Sequence, residues 1–208
     1  MQPTLTIRGF QIFKQFLDSV HQRALADDLR AKIVATPFFE PMTPSGKPMS
    51  VRITSLGEVG WLTDRTGYRY SDRHPNGASW PPIPESVLNI WSAVSGSERP
   101  PDSCLLNFYA KEARMGLHQD KDEANFDHPV VSISLGDEGL FRIGNLARGG
   151  STESLWLGSG DVVVMGGAAR LTHHGLDRIR FGSSQMFPRG GRLNLTLRVA
   201  GDLTPVSS

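Results

Sequence analysis

The sequence predicts an α+β fold: a double-stranded β-helix (jelly roll) core, or a related barrel, with supporting helices on its N-terminal side. From Cys104 onward, short apolar runs recur at close intervals with glycine-rich turns between them, the pattern of a closed all-β layer. Both stretches with helical periodicity lie before that point. Composition agrees, because 22 Gly and 14 Pro among 208 residues, with 38% hydrophobic and 21% charged, suit a loop-rich β protein better than a helical bundle.

In chain order, residues 11–17 read as a short strand. Asp18 or Ser19 is placed to cap a helix running to about residue 35, with Val20, Leu25, Leu29 and Ile33 as its apolar stripe. Residues 36–48 hold four prolines and read as a loop. Strands are predicted at 49–56 and 67–71, separated by a turn over 60–67, and a second helix at 84–94 opens on Pro84. The β-rich half is expected to use strands at 104–110, 129–135, 140–144, 154–157, 161–165, 170–174 and 192–200, and residues 199–208 read as a polar tail.

Several classes are disfavoured. The single cysteine, Cys104, cannot form an internal disulfide, and no basic-then-apolar leader opens the chain, so the expected location is cytoplasmic. No apolar run approaches the roughly 18 to 20 residues that cross a bilayer, so no membrane partner is expected. A net charge of +1 does not mark a nucleic-acid binder, yet Arg170, Arg178, Arg180, Arg189, Arg192 and Arg198 crowd one stretch that holds a single acid, Asp177. Such a cluster is either a solvated rim or a holder of phosphates or carboxylates.

His118-Gln-Asp120 is the first chemical signal. Alternation along an extended segment puts His118 and Asp120 on one face, where both reach one metal ion, and His173 or His174 supplies a third ligand. Two imidazoles and a carboxylate suit Fe(II) with positions left for other ligands, although copper, zinc or manganese accept the same donors. Alone, the tripeptide is a common accident. The second signal is Arg192-Leu-Asn-Leu-Thr-Leu-Arg198, which alternates throughout, so that Arg192, Asn194, Thr196 and Arg198 share a face opposite three leucines. If that face looks inward, two guanidiniums need anions, and a dicarboxylate supplies both. Asn107 and Tyr109 share a strand face and offer neutral donors to a carboxylate.

Together with Val131-Ser-Ile-Ser-Leu-Gly136, Gly160-Asp-Val-Val-Val-Met-Gly-Gly167 and Arg170-Leu-Thr-His-His-Gly175, these segments in this order resemble the bacterial AlkB family of Fe(II)/2-oxoglutarate-dependent dioxygenases over about residues 49–200. The resemblance implies that His118, Asp120 and His174 bind iron, His174 being preferred because the family ligand directly precedes a glycine. It implies that Asn107, Tyr109, Arg192, Asn194 and Arg198 bind 2-oxoglutarate. Trp61, Tyr68 and Tyr70 fall where the family carries a nucleotide-recognition lid, and Asp122 and Arg148 match its substrate-contacting acid and arginine. A single domain over 1–208 is implied, with N-terminal support at about 1–48, the lid at about 49–80 and the jelly-roll core at about 104–200. The implied activity is demethylation of bases such as 1-methyladenine and 3-methylcytosine in single- or double-stranded DNA, or in RNA, by a monomer: an N-methyl group is hydroxylated and lost as formaldehyde. An oxygenase of a protein or small molecule, and a non-catalytic jelly-roll binding module, are the competing readings. Arg142 stands where relatives carry a neutral amide and would alter substrate preference or contact a phosphate if it points inward.

Overall fold

A computed structural model describes residues 2–201. In chain order the elements are β1 (Leu5–Ile7), β2 (Phe10–Phe13), α1 (Ser19–Lys32), β3 (Val51–Gly57), β4 (Gly60–Asp64), β5 (Gly67–Ser71) and α2 (Glu85–Val94). They continue as β6 (Ser103–Tyr109), β7 (Met115–His118), β8 (Val130–Gly136), β9 (Glu138–Ile143), β10 (Glu153–Leu157), β11 (Val162–Met165), β12 (His174–Arg180) and β13 (Arg192–Arg198).

Strict alternation in β13 organises the molecule. Leu193, Leu195 and Leu197 are buried with Leu106, Val131 and Ile133 against Leu25, Leu29, Val87, Ile90 and Trp91 of the two helices. Each such side chain contributes roughly 1.5 to 3 kcal/mol on leaving water. The opposite face of β13 therefore turns toward the second sheet. A seven-stranded sheet runs β1-β2-β11-β8-β13-β6-β3 and a four-stranded sheet runs β10-β9-β12-β7. Between them Ile12, Ile53, Val163 and Met165 of the first pack on Phe141, Ile143, Leu157 and Leu176 of the second. This is the expected jelly roll, with helices on the outer face of the larger sheet. The hairpin β4–β5 belongs to neither sheet.

Several local expectations are corrected. The strand predicted over 11–17 ends at Phe13, because Gln15 takes a positive φ of 52° while its amide donates to the Asp161 carboxylate. Asp18 caps α1 by accepting from the Val20 and His21 amides, but Val20 is exposed and Ala26 completes the buried stripe. Most of the turn predicted over 60–67 is strand β4, and the reversal is confined to Asp64–Gly67, where Asp64 accepts from the Thr66 amide and Gly67 has φ 118°. The strand predicted over 170–174 does not form: a 3-10 turn at Gly167–Ala169 runs into a non-strand turn, and pairing begins only at His174. Of the predicted tail, Val199 and Ala200 are buried, while residues 202–208 lie outside the described part.

Candidate active site

The inner face of the larger sheet is polar at its centre, where β13 pairs with β6. Register sets Arg192 opposite Tyr109 and Asn194 opposite Asn107, so four residues singled out from sequence form two cross-strand pairs. Across the gap, β12 pairs with β7 so that His174 lies opposite His118, with their rings 4.7 Å apart. Asp120 follows β7 directly. Its oxygens sit 3.7 Å from His118 Nε2 and 3.8 Å from His174 Nε2, and one donor atom from each of the three residues lies within 4.8 Å of the others.

Both imidazoles are oriented by backbone. His118 Nδ1 faces the Gly116 carbonyl at 2.9 Å and His174 Nδ1 the Thr172 carbonyl at 3.0 Å, so each ring donates through Nδ1 and turns a bare Nε2 to its neighbours. Burial pushes His174 down to about 4, keeping it neutral and ligand-ready at ordinary pH. Burial pushes the Asp120 carboxyl up, but Arg198 and the two imidazoles outweigh it and hold the group below the usual carboxylate range. His173 does something else: its Nδ1 and its amide both reach the Asn145 carbonyl, at 3.0 and 3.1 Å.

These residues line a cavity of about 530 Å³ together with Trp61, Tyr68, Tyr70, Asp122 and Arg148. The hairpin β4–β5 forms its roof. Trp61 stacks on Tyr68 with centroids 5.6 Å apart, Trp61 Nε1 donates to Asp122 at 2.8 Å, and the Tyr70 hydroxyl donates to Glu123 at 2.7 Å. Arg148, at the rim, makes no hydrogen bond or ion pair with any described residue. Arg142 is not at the cavity. It points to the other side of β9 and pairs with Asp177, which removes the substrate role considered for an inward-facing side chain.

Glu123 has no role predicted from sequence, and Arg170 stands there only as one of six clustered arginines. Glu123 is buried and takes Arg170 Nη2 and Arg198 Nε, each at 3.0 Å, besides Tyr70. Arg170 Nη1 also donates to the Asp120 carbonyl at 2.6 Å. The arginine-rich stretch is thus not one surface. Arg170, Arg192 and Arg198 are interior, while Arg178 and Arg180 lie over the Trp156 ring outside.

The donor set fits Fe(II) and 2-oxoglutarate. Asp120 Oδ2, Asn107 Oδ1, Arg192 Nε, Arg198 Nε and Arg198 Nη1 are all buried without a hydrogen bond, although ion-pair contacts surround Arg198. Arg192 spends its remaining donors on the Asp137 and Leu157 carbonyls and Ser134, and no carboxylate of a described residue forms an ion pair with it. A buried guanidinium in that state wants an anion.

Comparison with known proteins agrees with this geometry: residues 9–198 match the 2OG-Fe(II) oxygenase superfamily. The chain belongs to that superfamily, in its AlkB branch. It is 51% identical to the alpha-ketoglutarate-dependent dioxygenase AlkB homolog of Caulobacter vibrioides over 96% of this chain and 91% of that one. It is 38% identical to alpha-ketoglutarate-dependent dioxygenase AlkB of Escherichia coli K12, over 93% and 91%. A solved structure described as "The structure of OsALKBH1" superposes with a TM-score of 0.77 at 31% identity, covering 94% of this chain and 98% of that one. This AlkB-type protein is therefore an Fe(II)/2-oxoglutarate-dependent dioxygenase. When bound, the metal and co-substrate supply O₂-dependent hydroxylation, with 2-oxoglutarate leaving as succinate and CO₂.

Proposed function

We propose that this dioxygenase removes N-alkyl groups from damaged nucleobases in DNA, or in RNA, releasing formaldehyde, and so repairs alkylated nucleic acid directly. The observation that carries the reading is the aromatic roof. A hairpin presenting Trp61, Tyr68 and Tyr70 covers the cavity whose floor holds His118, Asp120 and His174. A damaged base must leave its stack to reach such a floor, and aromatic faces receive it for a few kcal/mol of unstacking.

In this reading His118, Asp120 and His174 hold the iron. Arg192 and Arg198, helped by Asn107, Tyr109 and Asn194, hold the two carboxylates of 2-oxoglutarate. Trp61, Tyr68 and Tyr70, in a lid spanning about 49–80, receive the base. Asp122 uses Oδ2 on Trp61, and its other oxygen attracts a cationic methylated ring. Arg148, exposed and unpaired at the rim, meets a phosphate. The remaining work is orientation and exclusion of water, and the apolar walls of Phe141, Leu157 and Leu176 serve both. The protein acts as a cytoplasmic monomer. No helix among the described residues is long and apolar enough to cross a membrane.

Incubation with Fe(II), 2-oxoglutarate and an oligonucleotide carrying 1-methyladenine or 3-methylcytosine is expected to release formaldehyde and restore the base. Succinate formation without turnover of any alkylated nucleic acid would sink the reading and leave an oxygenase of another specificity.

A further inference from the structure

Arg8 occupies the first central position of the two-residue hairpin joining β1 to β2, and its φ is 50°, followed by 84° at Gly9. Such a turn asks for positive φ at both positions, which glycine adopts freely and an arginine only against steric cost. The side chain shows what offsets that cost. Arg8 Nη1 donates to the Gly144 carbonyl at 2.9 Å, to Asn145 Oδ1 at 2.6 Å and to the Ser151 carbonyl at 3.0 Å. Its Nε reaches Glu153 at 2.8 Å. One guanidinium thus ties together both ends of the loop over residues 144–151.

The rest of that loop is exposed from Leu146 to Ser151, and Gly149 and Gly150 take positive φ. Arg148 sits in its middle, at the cavity mouth and without a partner. Asn145 fastens the neck from inside, donating to the Ser151 carbonyl at 3.1 Å while its own carbonyl receives His173. Gln119, between two of the three triad residues in sequence, donates to the Leu146 carbonyl at 3.3 Å.

We propose that Arg8 is a positioning residue for the nucleic-acid substrate: it closes the neck of the 144–151 loop and so keeps Arg148 aimed at a substrate phosphate over the cavity. Arg8 itself touches neither substrate nor metal. The inference rests on the proposed function, and the two fail separately, because turnover of a methylated oligonucleotide by the wild type tests the function before any variant is made.

Arg8→Gly is the informative variant, since glycine suits the turn and only the guanidinium is lost. With a methylated single-stranded oligonucleotide, it is expected to raise KM about three- to tenfold, with kcat and the KM for 2-oxoglutarate unchanged. Arg148→Ala is expected to lower the slope of log binding constant against log salt by about 0.7, the signature of one phosphate contact on a single strand. Adding Arg8→Gly to Arg148→Ala should then change nothing further, because both act through one contact. Arg8→Lys should restore part of the oligonucleotide KM. Additive effects in the double variant, an unchanged oligonucleotide KM in Arg8→Gly or Arg148→Ala, or a fall in kcat alone would each overturn the inference.

Discussion

At the scale of single residues, the two adjacent histidines show how position decides chemistry. His174 begins β12 opposite His118 and turns Nε2 to Asp120, whereas His173 spends its ring on the Asn145 carbonyl. His174→Gln is expected to cut Fe(II) or Mn(II) affinity at least about tenfold, and His173→Gln to leave it near wild type, by titration calorimetry. The reverse order would overturn the assignment of ligands. His174 also links the metal-free protein to pH. Unfolded, its imidazole takes a proton near 6.5, but in the folded protein burial delays this until about 4. The unfolded state therefore binds more protons in that window, and stability falls as pH drops from about 6.5 toward 4. Asp120 acts in the same direction lower down, since a carboxyl held below its ordinary 3.8 loses stabilisation as acid protonates it. Denaturant titrations of metal-free protein across this range should show the decline, flattened in His174→Gln. An equal slope in both proteins would refute the burial argument.

At the scale of elements, legibility followed local alternation. In β13 the three leucines and the four polar residues separate in sequence as they do in space, so the two faces are legible without a structure, whereas which of them looks inward toward the second sheet is not. Residues 170–174 resemble a strand in their apolar and β-branched side chains, yet the chain there leaves the 3-10 turn at Gly167–Ala169 unpaired until His174, and Arg170 is drawn inward by Glu123 and the Asp120 carbonyl. Glu123 is not legible in the sequence because its partners Tyr70, Arg170 and Arg198 come from three distant segments, which no window of sequence displays. The pairing that sets His174 opposite His118 depends on Gly175, where an added Cβ would lie 2.6 Å from the Met115 carbonyl oxygen and 2.7 Å from that of Gly116. Both neighbours are backbone and cannot step aside. Gly175→Ala is therefore expected to destabilise the protein by about 1 to 3 kcal/mol and to weaken metal binding, although it removes no ligand. Unchanged metal affinity in that variant would mean that β7 and β12 adjust independently of the triad.

At the scale of the whole molecule, the helices cover the leucine face of β13 and the smaller sheet encloses the face that carries buried charge. Arg192 is buried, pulled down to about 10 by that burial, and still cationic at neutral pH; Asp161 and Asp137 favour its charge, but no carboxylate of a described residue forms an ion pair with it. A fold that closes two sheets around a cation with no directly paired anion is less stable than it would be with an anion beside it. The co-substrate should consequently act as a folding ligand as well as a reactant. With Mn(II) in place of Fe(II) to prevent turnover, 2-oxoglutarate at about 100 times its Kd is expected to add about 2.7 kcal/mol by mass action, read as a rise in Tm. Arg192→Met removes the buried charge while keeping much of the volume. It is expected to raise the Tm of the free protein, or leave it unchanged, and to abolish the response to 2-oxoglutarate. A variant that lost stability yet kept that response would show that Arg192 serves packing and that the dicarboxylate is held elsewhere.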